Sequence, residues 1–403
     1  MVASSSDKKS IAIMMSVLIF VIGGTYVISV LARGYQINFL NIKNGSVVSA
    51  TGLLSATSSP KSASVYINDR LISATDDTIN LPPGEYKVKI IKDGYLPWEK
   101  TIHIKKEVVF QTDTQLYRSV PDLKPITLTG ALNPVLSPDG SKIAYAVASA
   151  SASKDNGLYM IELSDSPLPI GRNSPRQIAN NFPGIDWSKF TYTFSPNSQQ
   201  ILATLKQSNV SYLLSLNSPV TISNLVDVTP RLSLIKDDWA AQDKTIVLSR
   251  LDKIPKELRS LIATDSSKHI TFNTAENKVL YLSAADGSLP DHIIPAPPAQ
   301  STQNQSRSLK KGSWYVYDIE DDTNFLIGTT DSLINPSWLP NSDNIIYVQN
   351  NSIQVIEYDA TNRQTLFAGS FTPDVVYPWS DGSRIVTLIA PYTGADVNLY
   401  AIT

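Results

Sequence analysis

The chain lacks cysteine altogether and is poor in charge and in histidine, and each shortage excludes a class of function. Without cysteine, its 403 residues can form no disulfide, no thiolate metal site and no cysteine nucleophile. Charged residues make up only 17%, with a formal net charge of -2, so no basic surface is available to hold a nucleic-acid backbone. The length predicts two or three domains, and there is ample apolar material to bury.

One long uncharged stretch lies near the N-terminus. Residues 11–31 (IAIMMSVLIFVIGGTYVISVL) would form a helix of about 31 Å, which matches the hydrocarbon core of a bilayer. We therefore predict a cytoplasmic tail at 1–10 and a transmembrane helix at 11–32. The alternative is a cleaved signal peptide, with Val30 and Ala32 as the small residues of a processing site. The uncharged run exceeds the about 7 to 15 residues of a signal-peptide core, which favours an uncleaved anchor.

The charges that flank this stretch indicate its orientation. Lys8 and Lys9 precede it and Arg33 follows it, a thin bias that places the N-terminus in the cytoplasm. Residues 33–50 alternate apolar and polar side chains and predict an extended juxtamembrane segment. The expected localisation is the cell membrane, with a single span and the bulk of the chain extracytoplasmic.

Residues 51–118 predict a small antiparallel β-sandwich. Runs that alternate with period two or are β-branched are bounded there by Pro, Gly, Asn and Asp, which are typical of tight turns. Asn68 and Asp69 predict a hairpin turn, the Pro-Pro-Gly run at 82–84 predicts a corner, and Gly94 predicts a turn with positive φ.

The same segment resembles the PEGA family. The motifs follow the family's order, namely a Ser-x-Pro start, an alanine before a Val-Tyr-Ile strand, a Leu-Pro-Pro-Gly-Glu-Tyr corner and a Gly-Tyr pair. In this chain they are Ser58 or Ser59 with Pro60, Ala63 with 65–67, 81–86, and 94–95. One departure is Asp69, which stands where the family has glycine and changes the chemistry of the turn. The resemblance implies a non-catalytic module of bacterial surface and envelope proteins that binds carbohydrate or protein.

A recurring hairpin-like pattern fills residues 131–403, after a proline-containing linker at 119–130. A large apolar residue is followed seven positions later by a β-branched residue, with a turn-rich segment between them. The pairs are Leu136 with Ile143, Phe194 with Ile201, Trp239 with Ile246, Phe272 with Val279 and Trp338 with Ile345, and Trp379 with Ile385 is one residue shorter. Their separations average near the about 40 to 50 residues of one propeller blade. We predict an all-β region with a β-propeller of about six blades, with five or seven as alternatives.

The Ser-Pro-Asp-Gly form of this pattern resembles the WD-like β-propeller repeat of Tol-system translocation proteins and of the propeller domains of prolyl oligopeptidases. It is strong at 136–145 and 194–203 and degenerate elsewhere, and the copy at Trp379 lacks the proline. The resemblance implies that the apolar residue packs between blades and that the turn closes a hairpin. Such a scaffold does not by itself assign a function.

Two segments interrupt the repeats. Residues 252–265 place Leu258, Leu261 and Ile262 at helical spacing, which predicts a short helix packed on the propeller. Residues 284–311 are rich in Pro, Ser and Gln and predict a mobile loop without regular structure inside the fourth blade.

The few candidate catalytic and metal-ligating residues do not form a recognised motif. The sequence contains no Gly-x-Ser-x-Gly elbow, P-loop or dinucleotide-binding fingerprint. The histidines are His103, His269 and His292, none with a companion at ligand spacing. The acidic run is Asp318, Glu320, Asp321 and Asp322, which could ligate calcium but which we interpret as a solvated hairpin tip.

We therefore expect a non-catalytic, membrane-anchored bacterial envelope protein without a cofactor or metal. Its expected partners are cell-envelope glycan or an envelope protein, and not nucleic acid, and the sequence singles out no ligand-binding residue. A competing hypothesis is an accessory or gating subunit of an envelope peptidase or hydrolase, which would need acids and a base at the mouth of the propeller. A third is a spacer or assembly scaffold that binds no small ligand.

Overall fold

The computed structural model describes residues 5–32, 35–37, 48–163, 174–208, 210–295 and 301–403. Side chains are described at 13–29 and from residue 51 onward within these ranges. The chain divides into two compact units, Met1–Leu116 with Pro298–Thr302, and Tyr117–Pro297 with Gln303–Thr403. Each unit has apolar cores of its own.

Helix α1 occupies Ser5–Ala32 and so begins within the predicted tail. Its described apolar side chains are exposed, Phe20 to 82% and Ile28 to 68%. Within the described part of the chain, no helix meets both the length and the apolar character needed to cross a membrane. In the predicted juxtamembrane segment, β1 (Tyr35–Ile37) pairs antiparallel with β2 (Val48–Ala50), and the rest of that segment lies outside the described residues.

The β-rich part of the first unit contains three sheets. Its strands are β3 (Gly52–Ala56), β4 (Ser58–Ser59), β5 (Ser64–Ile67), β6 (Arg70–Ala74), β7 (Asp77–Leu81), β8 (Gly84–Ile91), β9 (Trp98–Ile104), β10 (Val109–Gln111) and β11 (Thr114–Gln115). The strand order is β6-β5-β8-β9 in the largest sheet and β10-β3-β7 in the next. The predicted antiparallel pairing is wrong in one respect, because β10 runs parallel to β3 and β11 runs parallel to β4.

Alternation along the strands creates the core of this unit. In β9, Trp98, Lys100, Ile102 and Ile104 are buried and the three residues between them are exposed, which is the alternation of a half-buried strand. The apolar ones among them pack with Leu54 and other apolar residues of the facing sheet. The predicted turns form as expected. Both residues at 68–69 have positive φ, as a type I′ hairpin turn needs.

The second unit is built from four-stranded antiparallel sheets and a helical segment. Its strands are β12 (Leu123–Pro125), β13 (Leu132–Leu136), β14 (Lys142–Val147), β15 (Gly157–Glu162), β16 (Arg176–Asn180), β17 (Phe190–Phe194), β18 (Gln200–Leu205), β19 (Ser211–Ser215), β20 (Val226–Asp227), β21 (Ile270–Phe272), β22 (Lys278–Leu282), β23 (Gly287–Ser288), β24 (Ser308–Leu309), β25 (Ser313–Asp318), β26 (Thr323–Thr329), β27 (Ile334–Trp338), β28 (Asn344–Gln349), β29 (Ser352–Glu357), β30 (Gln364–Ala368), β31 (Val376–Pro378), β32 (Ile385–Ile389) and β33 (Asn398–Ile402). Its helices are α2 (Leu232–Leu251) and α3 (Lys256–Arg259).

Five four-stranded sheets are present among the described residues of the second unit. Sheet 1 is β13-β14-β15-β16, sheet 2 is β17-β18-β19-β20, sheet 3 is β21-β22-β25-β26, sheet 4 is β27-β28-β29-β30, and sheet 5 is β12-β33-β32-β31. In sheets 1, 2 and 4 the strands follow one another directly, and in sheet 3 the pair β23 and β24 is inserted. Sheet 5 joins a strand from the start of the unit to three strands from its end.

Apolar clusters join the sheets in an order that returns to its start. One cluster contains Leu158 of sheet 1 and Ile201 of sheet 2, and another contains Leu280 of sheet 3 and Ile345 of sheet 4. A third contains Ile346 of sheet 4 and Ile385 of sheet 5, and a fourth contains Ile143 of sheet 1 and Val386 of sheet 5. Between sheets 2 and 3 lies α2, which meets sheet 2 through Trp239 and sheet 3 through Val247. Sheets that pack on their neighbours around a ring form a propeller-like arrangement.

The recurring sequence pattern is the register of the first hairpin in each sheet. The landmark residues are direct cross-strand partners in four sheets, namely Leu136 and Ile143, Phe194 and Ile201, Phe272 and Val279, and Trp338 and Ile345. In sheet 5 the partner of Ile385 is Pro378, so the true landmark there precedes Trp379 by one residue. The apparent shortening of the sixth repeat was therefore a misalignment.

The repeat predicted at 239–246 is not a strand pair. Trp239 and Ile246 both lie in α2, which stands between sheets 2 and 3. The intervening sequence AAQDKT contains no proline, glycine or asparagine to make a turn, and Ala, Gln and Lys favour a helix. The prediction of about six blades is corrected to its lower alternative, five four-stranded sheets in the described residues of the second unit. The predicted all-β region is a mostly β fold with a helical segment.

Two predicted non-repeat segments carry regular structure. β12 falls within the predicted linker 119–130 and pairs antiparallel with β33, with Leu123 opposite Ile402. In the predicted loop 284–311, β23 pairs with β24 and both Leu289 and Leu309 are buried. Residues 296–300 of that loop lie outside the described residues. The rest of it, 284–295 and 301–311, is called the strap below.

The predicted helix at 252–265 is present as α3, which is short. Pro255 precedes its first residue, where a missing N–H costs nothing. Leu258 and Ile262 are buried in the same cluster as Val279 of sheet 3. The predicted packing is therefore confirmed, but the helix ends at Arg259, so of the three apolar residues only Leu258 lies in it.

Candidate functional site

The first strand of the landmark hairpin in each sheet, namely β13, β17, β21, β27 or β31, is called the first strand of that sheet below. Three pairs of these first strands are joined by side-chain hydrogen bonds to main-chain carbonyls. These are Asn133 Nδ2 to Phe190 at 2.9 Å, Trp338 Nε1 to Thr271 at 3.0 Å, and Tyr377 Oη to Pro134 at 3.2 Å. The second strands β14 and β32 are almost wholly buried, whereas the first strand β17 keeps Thr191 and Thr193 exposed. The other first strands are also only partly buried, so the first strands carry more accessible surface than β14 and β32 do.

This surface is chemically neutral. The first strands read LNPVL, FTYTF, ITF, INPSW and VYP, and these five described strands contain no Asp, Glu, His, Lys or Arg. General acid–base catalysis needs such a side chain within hydrogen-bond reach of the reacting group. The strands offer amides, hydroxyls and apolar surface.

The three histidines lie in different places. His103 is exposed on β9, and His292 is exposed in the strap. His269 Nδ1 lies 2.8 Å from Asp265 Oδ1, a hydrogen bond that is the largest cause of the lowered pKa of Asp265. The imidazole ring also meets the Trp314 ring edge-on, with 6.0 Å between centroids. An Asp–His pair is part of a catalytic triad, but here the ring packs on an indole.

The acidic run after β25 differs from the predicted solvated tip. Asp318 is 3% exposed and Asp322 is 1% exposed. Asp318 Oδ1 accepts hydrogen bonds from the N–H groups of residues 320–321, both at 3.0 Å. Asp322 Oδ1 accepts from Arg307 and from Tyr317, both at 2.9 Å. These oxygens serve protein donors, and the described part of the chain holds no group of three or more His, Asp or Glu placed to ligate a metal.

A buried lysine between sheets 3 and 4 was not recognised from the sequence. Lys278 Nζ lies 3.3 Å from Asp318 Oδ2, 3.1 Å from Asp343 Oδ2 and 4.7 Å from the centroid of the Tyr358 ring. Burial alone would lower the pKa of Lys278, but the two carboxylates outweigh it and raise the pKa. Asn273 Nδ2 donates to Asp343 Oδ1 at 2.8 Å, a further bond of the kind a buried ion pair needs.

A cation recurs at this position of the repeat, which is a signal that the sequence did contain. Lys142, Lys278 and Arg384 each directly precede the β-branched landmark of their hairpin. Lys142 Nζ lies 3.6 Å from Asp139 Oδ2 near the surface, whereas Lys278 is buried between two carboxylates. The guanidinium of Arg384 instead lies over the Trp379 ring, 4.4 Å from its centroid. One repeat position thus supports three different arrangements.

Comparison with known proteins identifies one domain. Residues 51–119 match the family model of the PEGA domain, which confirms the resemblance of that segment. No curated protein matches the chain.

Several solved structures are similar at low identity. They include TolB from Acinetobacter baumannii, with 14% identity, a TM-score of 0.21, and coverage of 80% of this chain and 61% of that one. An acylaminoacyl peptidase from Pyrococcus horikoshii has 13% identity, a TM-score of 0.20, and coverage of 68% and 38%. A protein of unknown function from Bacteroides thetaiotaomicron has 10% identity, a TM-score of 0.25, and coverage of 85% and 91%. The chain thus spans less than two thirds of the first two proteins, and the propeller-like assignment rests on strand pairing and packing.

Proposed function

We propose that the protein is a membrane-anchored, extracytoplasmic binding or scaffold protein of the bacterial cell envelope, with an envelope glycan or envelope protein as its partner. The observation that carries the proposal is the surface of α1. Residues 17–22 are apolar and each is more than half exposed. Six consecutive residues cover every face of a helix, so no face of this stretch is sheltered by the chain. Apolar surface of this extent is unfavourable in water, and a bilayer would cover it.

The PEGA match supports the envelope part of the proposal. The domain follows the apolar helix in the chain, as expected of a module displayed beyond a membrane. The neutral first strands support binding rather than catalysis, because they offer hydrogen-bonding groups and apolar surface without an acid or a base among the described residues.

Membrane flotation of the full chain tests the anchor. We expect the full chain to float with the lipid fraction. We also expect protease added on the outer side of the cell membrane to digest the chain. A double variant, Ile19→Arg with Phe20→Arg, should leave the membrane, because each arginine at the centre of a spanning helix costs about 2.5 to 3.5 kcal/mol. The matched control is Val120→Arg with Leu128→Arg, at residues exposed to 78% and 82% in the second unit. Recovery of the unchanged chain in the soluble fraction would contradict the anchor.

Retention on envelope material tests the binding part. The detergent-solubilised chain should be retained on purified wall polymer, or should crosslink at fixed stoichiometry to one envelope protein in cells. Turnover of peptide and glycoside substrates by the purified chain should stay at the level of a buffer control. Failure of both retention and crosslinking would rule out a binding role, and turnover that survives repurification would rule out a non-catalytic one.

A further inference from the structure

Helix α2 exposes a line of apolar residues on the side that faces away from the sheets. The line consists of Leu234, Ala241 and Leu248, all exposed, and the two leucines are exposed to 66% and 52%. Their spacing of seven residues puts them on one face, because seven residues are close to two helical turns. Trp239 and Val247 are buried on the other side of the helix, against sheets 2 and 3. This line is called the α2 stripe below.

Opposite charges flank the α2 stripe. Asp237 and Lys244 are exposed and are also seven residues apart, so they lie on the same side of the stripe. In the described part of the chain, neither side chain takes part in an ion pair or a hydrogen bond. The neighbouring Asp238, in contrast, accepts a hydrogen bond from Gln242 Nε2 at 2.8 Å. Asp237 and Lys244 therefore keep their full capacity for a partner.

The α2 stripe is complementary to itself when two copies of α2 run antiparallel. With a two-fold axis beside Ala241, residues equally far from Ala241 in the two copies lie at the same level. Leu234 of one copy then meets Leu248 of the other, since each lies seven residues, about 10.5 Å, from the axis. Asp237 lies about 6 Å from the axis and Lys244 about 4.5 Å, so the two can pair between copies on each side. The small side chain of Ala241 allows the two helices to approach closely at the centre.

A groove beside Leu248 provides room for the leucine of a second copy. Its volume is about 400 Å³, and Leu248 and Leu251 are among its lining residues. Burial of a leucine side chain contributes about 1.5 to 3 kcal/mol relative to leaving it in water. A two-fold axis makes this contact twice, so the same groove is filled in both copies.

We propose that the outer face of α2 is a self-association surface, on which a second copy of this chain docks through its own α2, antiparallel and about a two-fold axis beside Ala241. The same segment supplies both halves of every contact, which favours a second copy over an unrelated helix. Helix α2 is additional to the five sheets, so its outer face is not needed to complete them. One helix from each copy makes a small interface, and we expect a weak dimer. The inference goes beyond the proposed function and does not depend on the anchor or on the envelope partner.

Disulfide crosslinking of the full chain in detergent tests the position of the axis, because the chain contains no cysteine of its own. Ala241→Cys should form a disulfide-linked dimer under mild oxidation, since the two substituted residues would face each other. Ser249→Cys, also exposed on α2, is the matched control. Its two copies would lie about 24 Å apart along the helices. We expect at least tenfold more linked dimer from Ala241→Cys at equal concentration and time, and an equal yield would overturn the inference.

Charge reversal tests the pairing between copies. Asp237→Lys and Lys244→Asp should each raise the dissociation constant of the dimer at least threefold in sedimentation experiments, because each places like charges opposite one another. The double variant restores opposite charges and should recover the wild-type value. Circular dichroism shows whether each variant keeps α2. A chain that stays monomeric at every concentration would overturn the inference, and so would a dimer that neither single variant weakens or that the double variant fails to restore.

Discussion

Residues 239–246 and 338–345 carry the same spacing of apolar landmarks and fold differently. Trp338 and Ile345 face each other across a hairpin, whereas Trp239 and Ile246 lie on α2. Seven residues are close to two helical turns, so this spacing also puts two residues on one face of a helix. The intervening residues decide between the two folds. LPNSDN includes Asn341 with a positive φ, and AAQDKT has no comparable turn former.

The two regions also differ in the contacts through which they pack on sheet 3. Sheet 4 meets sheet 3 through the ion pair of the buried Lys278 with the half-exposed Asp343, as well as through a shared apolar cluster. Helix α2 meets it mainly through apolar side chains, with Arg250 Nη1 donating to the carbonyl of Ile270 at 2.8 Å. The sheet junction therefore depends on buried charge more than the helix junction does.

Removing the buried cation should have the largest effect. Lys278→Ala leaves the carboxylate of Asp318 buried without its cation, which costs about 3 to 5 kcal/mol. Arg250→Ala at the helix junction should cost about 2 kcal/mol, since it removes hydrogen bonds from a charged donor. Urea unfolding of the two variants measures both values. An equal loss in the two variants would contradict the larger cost expected for removing the buried cation.

A proline substitution tests the two folds directly. Ala241 occupies the position of Pro138, Pro196 and Pro340 in the other repeats but lies in the interior of α2. Ala241→Pro should cost about 3 kcal/mol, because it removes a helical hydrogen bond and clashes with the preceding turn. Thr274→Pro is the matched change in a hairpin of sheet 3. This change should cost about 1 kcal/mol, because it removes the hydrogen bond that Thr274 Oγ1 accepts from the Asn341 N–H at 2.9 Å.

Equal tolerance of proline at 241 and 274 would mean that residues 239–246 form a hairpin in solution. Circular dichroism of the Ala241→Pro variant provides a second readout, because the loss of α2 removes helical signal. A variant that unfolds at the same temperature as the wild type would contradict the helical assignment as well.

Replacing a landmark isoleucine by valine compares the two regions through a smaller loss of stability. Ile345 is fully buried, and Ile246 is partly exposed on α2. Ile345→Val should cost about 1 kcal/mol, and Ile246→Val should cost clearly less. The measurement is the shift in the urea midpoint of unfolding, compared between variants whose unfolding free energy depends equally on urea concentration. The reverse order would mean that Ile246 occupies a hairpin core.

The smallest effect concerns pH and the strap. Burial of Asp322 would raise its pKa, but hydrogen bonds from Arg307 and Tyr317 outweigh it and lower the pKa. A carboxyl group with a lowered folded pKa adds stability that is present above its unfolded pKa, about 3.9, and is lost as the pH falls through the folded value. Asp322→Asn should therefore flatten the fall in stability below about pH 4. Asp331→Asn, at an exposed position, is the control.

Urea midpoints measured across the acid range provide the readout for this pair. If the urea midpoint of Asp322→Asn depends on pH in the same way as that of the wild type, the strap is not held by this carboxylate. Such a result would place the attachment of the strap in the buried side chains of Leu289 and Leu309 instead.

Local signals in the sequence were enough for much of the fold. The turn at 68–69 and Gly94 follow from residues that tolerate positive φ, and the hairpin registers follow from the spacing of seven. The helix at α2 also had local signals, namely the run Ala240–Ala241 and a proline just before its first turn. The apolar spacing concealed them, because it fits both structures.

Non-local contacts were beyond such reasoning. The parallel pairing of β10 with β3 and the pairing of β12 with β33 join residues that are remote in sequence. The same holds for the candidate site. A cation recurs visibly at Lys142, Lys278 and Arg384, yet only the packed sheets decide that Lys278 meets Asp343 from another hairpin. Its burial follows from the neighbouring sheet and not from its own strand.

The strand that completes sheet 5 has a consequence for biosynthesis. Sheets 1 to 4 can each form from residues that leave the ribosome in one stretch, but β12 must wait for residues 398–402. Pairing across so long an interval of chain is slow, and until it occurs the nascent chain displays an unsatisfied strand that could capture a neighbour. A chaperone that shields newly made chains would act at this stage of folding.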